Sequence, residues 1–181
     1  KRVGEVVGGR LGRTILELGG NNSIILSPNA DLKMAIPAIV FGAVGTAGQR
    51  CTSTRRLVIH ESIYDAVKDS LVKAYAGLKV GSPLDESNHV GPLIDKDAVE
   101  QMQSALKKAQ EQGANRLFGG EVLDGPEYES GCYVKPAIVE AQNHFEIVQE
   151  ETFAPILYLI KYSGDEITNA IELQNGVQQG L

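Results

Sequence analysis

The stretch NSIILSPNADLKMAIPAIVFGAVGTAGQRCTSTRRLVIH, residues 22–60, decides the fold. Residues 22–26 form an apolar run typical of a buried strand, and turn-forming residues follow it. Asp31 can cap a helix that runs to about Val44. Residues 56–60 then have the pattern of a second strand. The stretch therefore predicts a strand–helix–strand unit, which joins two parallel strands.

The rest of the chain continues the same alternation. Further helices are predicted to begin at a Ser62/Asp65 capping box and at Asp95, and to cover residues 164–175. Further strands are predicted near residues 115–118, 132–139 and 156–162. This order indicates an α/β fold with a doubly wound parallel sheet. In such sheets functional loops collect at the carboxyl ends of strands, so we expect the site there.

Helical spacing also assigns side chains to faces. In the first helix it groups three apolar residues: Met34, Ala38 and Phe41. We expect Met34, like Met102 in the later helix from Asp95, to occupy the core.

Composition excludes several classes of protein. The 181 residues carry 17 Lys plus Arg against 23 Asp plus Glu, a formal charge of −6. Because phosphate-rich partners need a positive surface, neither nucleic acid nor an anionic membrane is expected to bind. The apolar runs are too short to span a bilayer. Three scattered histidines predict no metal site. Two cysteines provide no disulfide scaffold, which favours the cytoplasm, with the mitochondrial matrix as the alternative.

Cys51 lies in a glycine-rich link between a helix and a strand. An unperturbed thiol is only about 3% thiolate at pH 7, so a nucleophilic cysteine needs nearby cations or backbone N–H groups. The alternative is a small buried apolar side chain, as most free cysteines are. Cys132 begins an apolar strand and is expected to be structural.

Glu17 ends the short apolar run Thr14-Ile15-Leu16 and precedes Gly19 and Gly20. A carboxylate at the end of a buried strand has a raised pKa if it is partly desolvated, which suits a general base. The alternative is a solvated glutamate. The two glycines would let a ligand or another segment approach the backbone closely.

Glu151 and Phe153 lie two residues apart before an apolar strand. In an extended segment their side chains project to the same side. A carboxylate can accept hydrogen bonds from two neighbouring ribose hydroxyls, and an aromatic ring can lie against a flat heterocycle. The alternative is a charged loop with Phe153 in the core.

Three motifs in register resemble the NAD(P)-dependent aldehyde dehydrogenases: residues 16–20 (LELGG), 48–51 (GQRC) and 151–155 (ETFAP). The 34-residue separation of Glu17 and Cys51 is similar to the family's spacing of general base and nucleophile. Ala154, where the family usually has glycine, is similar to the antiquitin branch, the α-aminoadipic semialdehyde (piperideine-6-carboxylate) dehydrogenases of lysine catabolism. Asn21-Asn22 and residues 46–51 (TAGQRC) support the same branch.

The resemblance implies a mechanism and its residues. Cys51 would attack the aldehyde to give a thiohemiacetal, hydride transfer to NAD (or NADP) would leave a thioester, and Glu17 would activate the water that hydrolyses it. Glu151, Phe153 and Gly19 would contact the cofactor. Arg50 would bind the polar end of the substrate, since a guanidinium matches a carboxylate.

The resemblance also implies how the chain is organised. Residues 1–181 would form most of the catalytic domain, without the NAD-binding domain and the oligomerisation element. We therefore expect the 181-residue chain alone to produce no NADH from an aldehyde. The whole protein would act on a small-molecule aldehyde and form a homodimer or homotetramer.

Two other functions remain open. The first is an NAD-independent cysteine hydrolase or esterase that uses Cys51 and Glu17, although such thiols usually have a histidine partner. The second is a non-catalytic, structural use of the fold.

Overall fold

A computed structural model describes residues 1–164 and 166–180 of the chain. Its centre is a five-stranded sheet in the order β1-β2-β5-β4-β3. The strands are β1 (Asn22–Leu26), β2 (Thr54–His60), β3 (Asn115–Phe118), β4 (Ala137–Glu140) and β5 (Ile156–Tyr162). The helices are α1 (Arg2–Gly9), α2 (Leu32–Val44), α3 (Tyr64–Ala76), α4 (Lys96–Glu111), α5 (Glu146–Gln149) and α6 (Thr168–Asn175).

The strand–helix–strand prediction for residues 22–60 is confirmed. β1 and β2 are parallel neighbours, and α2 connects them. The Asp31 side chain accepts a hydrogen bond from the Lys33 backbone N–H and so caps α2. β2 is buried along its whole length because β1 and β5 flank it in the sheet and α2, α3 and α6 pack against it.

The α/β class is confirmed, but the sheet is not wholly parallel. β1, β2, β5 and β4 run parallel to one another, whereas β3 is antiparallel to β4. β4 is shorter than the predicted strand over 132–139 and begins directly after Pro136. Since proline has no N–H to donate to a ladder, the parallel pairing with β5 begins after it, and before it Val134 forms only an isolated antiparallel bridge with Val122.

Two predicted helix starts have different outcomes. Asp95 caps α4 through a hydrogen bond from Ala98 N, as predicted. The Ser62/Asp65 capping box is wrong, because the Ser62 N–H donates to the His60 ring, and a 3₁₀ turn precedes α3. The predicted helix over 164–175 begins at residue 168, and residue 165 within it lies outside the described residues.

Two apolar side chains of α2 are exposed, against expectation. Met102 is fully buried, but Met34 is 72% exposed and Phe41 is 69% exposed. α2 buries a different stripe, which includes Ile39 and Ala43, against the sheet. The helical period was right, but it could not tell which apolar stripe faces the sheet.

Two buried tyrosines of α3 differ in their hydrogen bonding. Both are 1% exposed. The Tyr64 hydroxyl donates to Glu140 Oε1 at 2.8 Å, whereas the Tyr75 hydroxyl has no partner among the described residues. An unsatisfied buried hydroxyl costs about 1–3 kcal/mol, and a satisfied one does not.

The same substitution should therefore have opposite effects at these two positions. We expect Tyr75→Phe to stabilise the whole protein by about 1 kcal/mol and Tyr64→Phe to destabilise it by a similar amount. Burial also raises the pKa of Tyr75 above its usual value of 10.0. Above about pH 10, Tyr75 therefore ionises in the unfolded chain but stays neutral in the folded protein. The free energy of unfolding falls as a result, and Tyr75→Phe should reduce this fall. Denaturant unfolding at pH 7 and pH 10.5 tests both expectations.

Candidate active site

The three motifs meet at the amino ends of neighbouring strands. Gly19-Gly20 precedes β1, Cys51 precedes β2, and Glu151 precedes β5, and these three strands are adjacent in the sheet. The expectation that the site lies at the carboxyl ends of the strands is therefore wrong. The loops that enter these strands, rather than those that leave them, carry the reactive and polar side chains.

The segment after Glu17 lies directly against Glu151. The Gly20 backbone N–H donates to Glu151 Oε1 at 3.0 Å. A Cβ on Gly19 would lie 2.2 Å from Glu151 Oε2, a separation that no side chain can adopt. A side chain at position 19 would therefore displace the Glu151 carboxylate, which occupies the space of the missing Cβ.

The same segment also holds the Cys51 peptide. The Asn22 side-chain amide donates to the carbonyl of Cys51 at 2.7 Å and to that of Ser53 at 3.2 Å. A Cβ on Gly20 would lie 2.6 Å from the Cys51 carbonyl oxygen. The loop that contains the thiol is thus packed against the segment that contains Glu17.

The backbone before Cys51 is unusual. Thr46, Ala47 and Gly48 have φ values of 51°, 52° and 67°. Three consecutive left-handed residues, two of them with a Cβ, are costly and persist only when surrounding contacts hold them. This turn ends α2 sharply and leads into the loop that presents Cys51.

Cys51 and Glu17 are both exposed to solvent. Of the two interpretations of Glu17, the structure supports the solvated one: Ile15, two residues before it, is 96% exposed, and residues 12–21 form no strand. No hydrogen bond joins the thiol to the Glu17 carboxylate within the described residues. The contacts of Gly20 and Asn22 bring their segments together, and both groups are accessible to water.

Phe153 and Arg50 are also accessible. Phe153 is 43% exposed, so it is not the core residue of the alternative interpretation. A cavity of about 560 Å³ beside its ring is lined by Thr46, Gln49, Pro92, Leu93, Ile94 and Phe153. Arg50 is exposed next to Cys51, and its backbone carbonyl accepts a hydrogen bond from Arg55.

Sequence reasoning missed Arg55, which contacts two of the three motifs. Its side chain is 4% exposed and lies 3.4 Å from Glu151 Oε1. Burial lowers the pKa of Arg55, and the Glu151 carboxylate partly opposes that effect. The available signal was the pair Arg55-Arg56 in an apolar strand, because buried arginines require partners.

The three histidines are engaged away from Cys51. His60, at the far end of β2, contacts Ser62 Oγ and the Gly164 carbonyl oxygen. The His89 ring accepts a hydrogen bond from Lys79 N, and the His144 ring packs against Phe145. This arrangement disfavours a cysteine hydrolase that relies on a histidine.

Two further features of the described residues bear on function. They contain no group of three or more His, Cys, Asp or Glu side chains that could hold a metal ion. None of their helices is long and apolar enough to cross a bilayer. Cys132 is buried, as expected of a structural cysteine.

Comparisons with known proteins agree on one family. The model of the aldehyde dehydrogenase family matches residues 1–181. The bovine (Bos taurus) alpha-aminoadipic semialdehyde dehydrogenase is 47% identical over 182 residues, which is 100% of this chain and 33% of the relative. Aldehyde dehydrogenase family 7 member A1 of Pisum sativum is 44% identical over 99% of this chain and 34% of its own length. The chain thus spans about a third of these relatives.

Solved structures share the fold. Betaine aldehyde dehydrogenase from Staphylococcus aureus, in complex with NAD+, superposes with a TM-score of 0.92 at 26% identity, over 97% of this chain and 35% of that one. A 3,6-anhydro-L-galactose dehydrogenase in complex with NAP gives a TM-score of 0.89 at 32% identity, over 96% and 36%.

Proposed function

The chain belongs to the aldehyde dehydrogenase family, and on that premise we propose that the whole protein oxidises a small polar aldehyde to its acid with NAD. A semialdehyde such as α-aminoadipic semialdehyde is the preferred substrate, in a step of lysine catabolism. The observation that carries the proposal is the convergence of the motifs of Cys51, Gly19-Gly20 and Glu151 at the amino ends of three adjacent strands.

Cys51 is the nucleophile. Its thiol is exposed at the end of a loop that left-handed residues and the Asn22 amide fix in place. The thiolate sulfur attacks the aldehyde carbon and forms a thiohemiacetal on the protein. The Cys51 backbone N–H contributes to the oxyanion site, because a fixed donor stabilises charge that develops on the oxygen.

Glu151, Gly19 and Phe153 fit the cofactor. Oε1 of Glu151 is already held by Gly20 N and Arg55, while Oε2 has no hydrogen bond among the described residues. A fixed carboxylate with one available oxygen suits the ribose hydroxyls, and the cavity beside Phe153 has room for a flat ring. When bound, the nicotinamide dinucleotide supplies the hydride acceptor; NADP is the alternative.

Glu17 is the general base for hydrolysis. Its exposed carboxylate has access to water, and its segment is tied to the Cys51 peptide through Gly20 and Asn22. In this role the carboxylate takes a proton from water as the oxygen attacks the thioester carbon. The carbon–sulfur bond then breaks, and the acid leaves Cys51.

Arg50 is the proposed substrate-binding residue. It is exposed and adjacent to Cys51 in the chain, and a guanidinium can bind a carboxylate through two parallel hydrogen bonds. This chemistry favours an aldehyde that carries a carboxylate at its other end, such as a semialdehyde of an amino acid. The name of the bovine relative supports the same substrate class.

Gly19→Ala tests the cofactor site without changing a polar group. The new Cβ would overlap Glu151 Oε2, so the carboxylate must move. We expect the KM for NAD to rise about tenfold or more, as when a charged hydrogen bond is lost. Gly77→Ala is the matched control, because its Cβ would approach no atom closer than the Ala74 carbonyl oxygen at 3.4 Å. Equal KM values for the two variants would contradict the assignment.

The function itself is tested by assaying the whole protein on a panel of semialdehydes, with and without NAD. NAD-dependent acid formation, fastest with α-aminoadipic semialdehyde, is expected. Ester or amide hydrolysis without NAD would favour the cysteine hydrolase. No turnover, together with equal labelling of Cys51 and Cys132 by a dilute electrophile, would favour a structural role. The cytoplasmic location and the homodimer or homotetramer remain predictions.

A further inference from the structure

The side chains of two adjacent arginines in β2 lie on opposite faces of the sheet. Arg56 contacts Asn21, Asn143 and the end of α6 around Leu173 and Gln174. Arg55 points the other way, toward the site, because successive side chains of a strand alternate. Arg55 is 3% exposed and Arg56 is 0% exposed, so each forms most of its contacts within the protein.

Arg55 binds the loop that carries the nucleophile. Both terminal nitrogens of the guanidinium donate to the Gly48 carbonyl at 3.2 Å, and Nη2 donates to the Arg50 carbonyl at 3.1 Å. These carbonyls belong to the last left-handed residue of the turn and to the residue directly before Cys51. The guanidinium thus holds the loop close to the thiol.

The same guanidinium binds the cofactor-facing segment. Nη1 donates to the Thr152 carbonyl at 2.7 Å, and Nη2 lies 3.4 Å from Glu151 Oε1. The Phe153 ring lies against the guanidinium, with its centroid 5.3 Å from Cζ. One buried group therefore contacts three consecutive residues of the segment that contains Glu151.

The two segments also touch each other without room for adjustment. A Cβ on Gly48 would lie 2.5 Å from the Ala154 carbonyl oxygen. The strained turn at residues 46–48 would relax if this contact and the Arg55 hydrogen bonds were lost, since left-handed backbone needs an external restraint. The position of Cys51 relative to Glu151 therefore depends on the bridge between the segments.

A guanidinium suits this bridge and an ammonium does not. Its planar fork can donate in several fixed directions at once, whereas a lysine presents a single point charge. Five carbonyl and carboxylate oxygens from two segments surround Arg55, and only one belongs to an acidic side chain. The positive charge of Arg55 is thus balanced mainly by the dipoles of peptide carbonyl groups. These carbonyls stabilise the charge only while the two segments keep their relative position.

We propose that Arg55 is a positioning residue that holds the Cys51 loop and the Glu151–Ala154 segment in one fixed relative position. It touches neither the aldehyde nor the reacting sulfur, and it acts by setting the distance between the nucleophile and the cofactor-binding carboxylate. The inference rests on the proposed function for its kinetic consequences, but the relative position of the two segments is a property of the fold.

The test is Arg55→Lys in the whole protein. We expect kcat to fall about 100-fold, as for a misplacement of about 1 Å at a reacting centre. The KM for NAD should rise about fivefold, because Glu151 loses the hydrogen bond from the guanidinium. Arg56→Lys is the matched control: it should lower the melting temperature but leave kcat within about twofold. Wild-type kcat and KM values in Arg55→Lys would overturn the proposal, as would equal kinetic losses in the two variants.

Gly48→Ala provides a second route if Arg55→Lys does not fold. It pushes the loop away from Ala154 while the guanidinium stays, and the same combined change in kcat and KM is expected. An unchanged kcat in a folded Gly48→Ala protein would overturn the proposal.

Hydrogen exchange separates failure of this inference from failure of the proposed function. In Arg55→Lys, amides of residues 45–53 and 149–155 should exchange at least about tenfold faster, while β4 stays protected. If the wild-type protein oxidised no aldehyde, the proposed function would fail, and exchange alone would decide the role of Arg55. Unchanged exchange in both segments would refute it.

Discussion

Replacement of Cys51 by alanine in the whole protein is expected to abolish aldehyde oxidation. The fall in kcat should be on the order of 10⁴-fold or more, because a nucleophile that forms the covalent intermediate has no substitute. Cys132, the second cysteine, is buried in the core, so it cannot take over. NADH formation at saturating aldehyde and NAD measures the effect.

Cys132→Ala is the matched control for this substitution. Cys132 is 8% exposed, and its thiol donates a weak hydrogen bond to the Ser130 carbonyl. We expect kcat within about twofold of the wild type and a small loss of stability, as for a small buried side chain. A Cys51→Ala protein with more than a tenth of wild-type activity would contradict the role given to the thiol.

Replacement of Glu17 by glutamine should separate the two halves of the reaction. The thiol remains, so acylation and one round of NADH formation should proceed. Hydrolysis should slow about 1,000-fold, within the range for loss of a general base. Rapid mixing should therefore show a burst of about one NADH per site, followed by a much slower steady state.

Glu100→Gln controls for the change of charge. Glu100 lies exposed on α4, away from the three motifs, and its replacement should leave both phases unchanged. A Glu17→Gln protein with wild-type steady-state turnover would exclude Glu17 as the base. Loss of the burst as well would mean that Glu17 acts before hydrolysis.

The sequence predicted the elements that local chemistry determines. The Asp31 cap, the apolar run of β1 and the parallel pairing across α2 all follow from patterns within about 40 residues. The predicted capping box at Ser62 does not form because the Ser62 N–H donates to the His60 ring instead. The antiparallel β3 could not be predicted, since strand direction depends on distant pairing.

Burial was the weakest part of the prediction. Met34 and Ile15 have the apolar character of core residues, yet both are exposed. Periodicity identifies an apolar face but contains no information about what lies against it. The solvated interpretation of Glu17 holds because its segment does not form the buried strand that the other interpretation assumed.

The three motifs were recognised in the sequence, but their arrangement in space was not. Their location at the amino ends of β1, β2 and β5 reverses the general expectation for parallel sheets. Arg55 was missed because its role depends on carbonyls about 100 residues away in the chain. Contacts of that kind leave no local pattern except an arginine within an apolar strand.

We propose that Cys51 carries the substrate as a thioester. The most direct test is peptide mapping by mass spectrometry of the whole Glu17→Gln protein, quenched in acid after one turnover with NAD and α-aminoadipic semialdehyde. We expect the acyl group on the peptide that contains Cys51, at about one per site, with the Cys132 peptide unmodified. NADH formed in that turnover while the Cys51 peptide stays unmodified would contradict it.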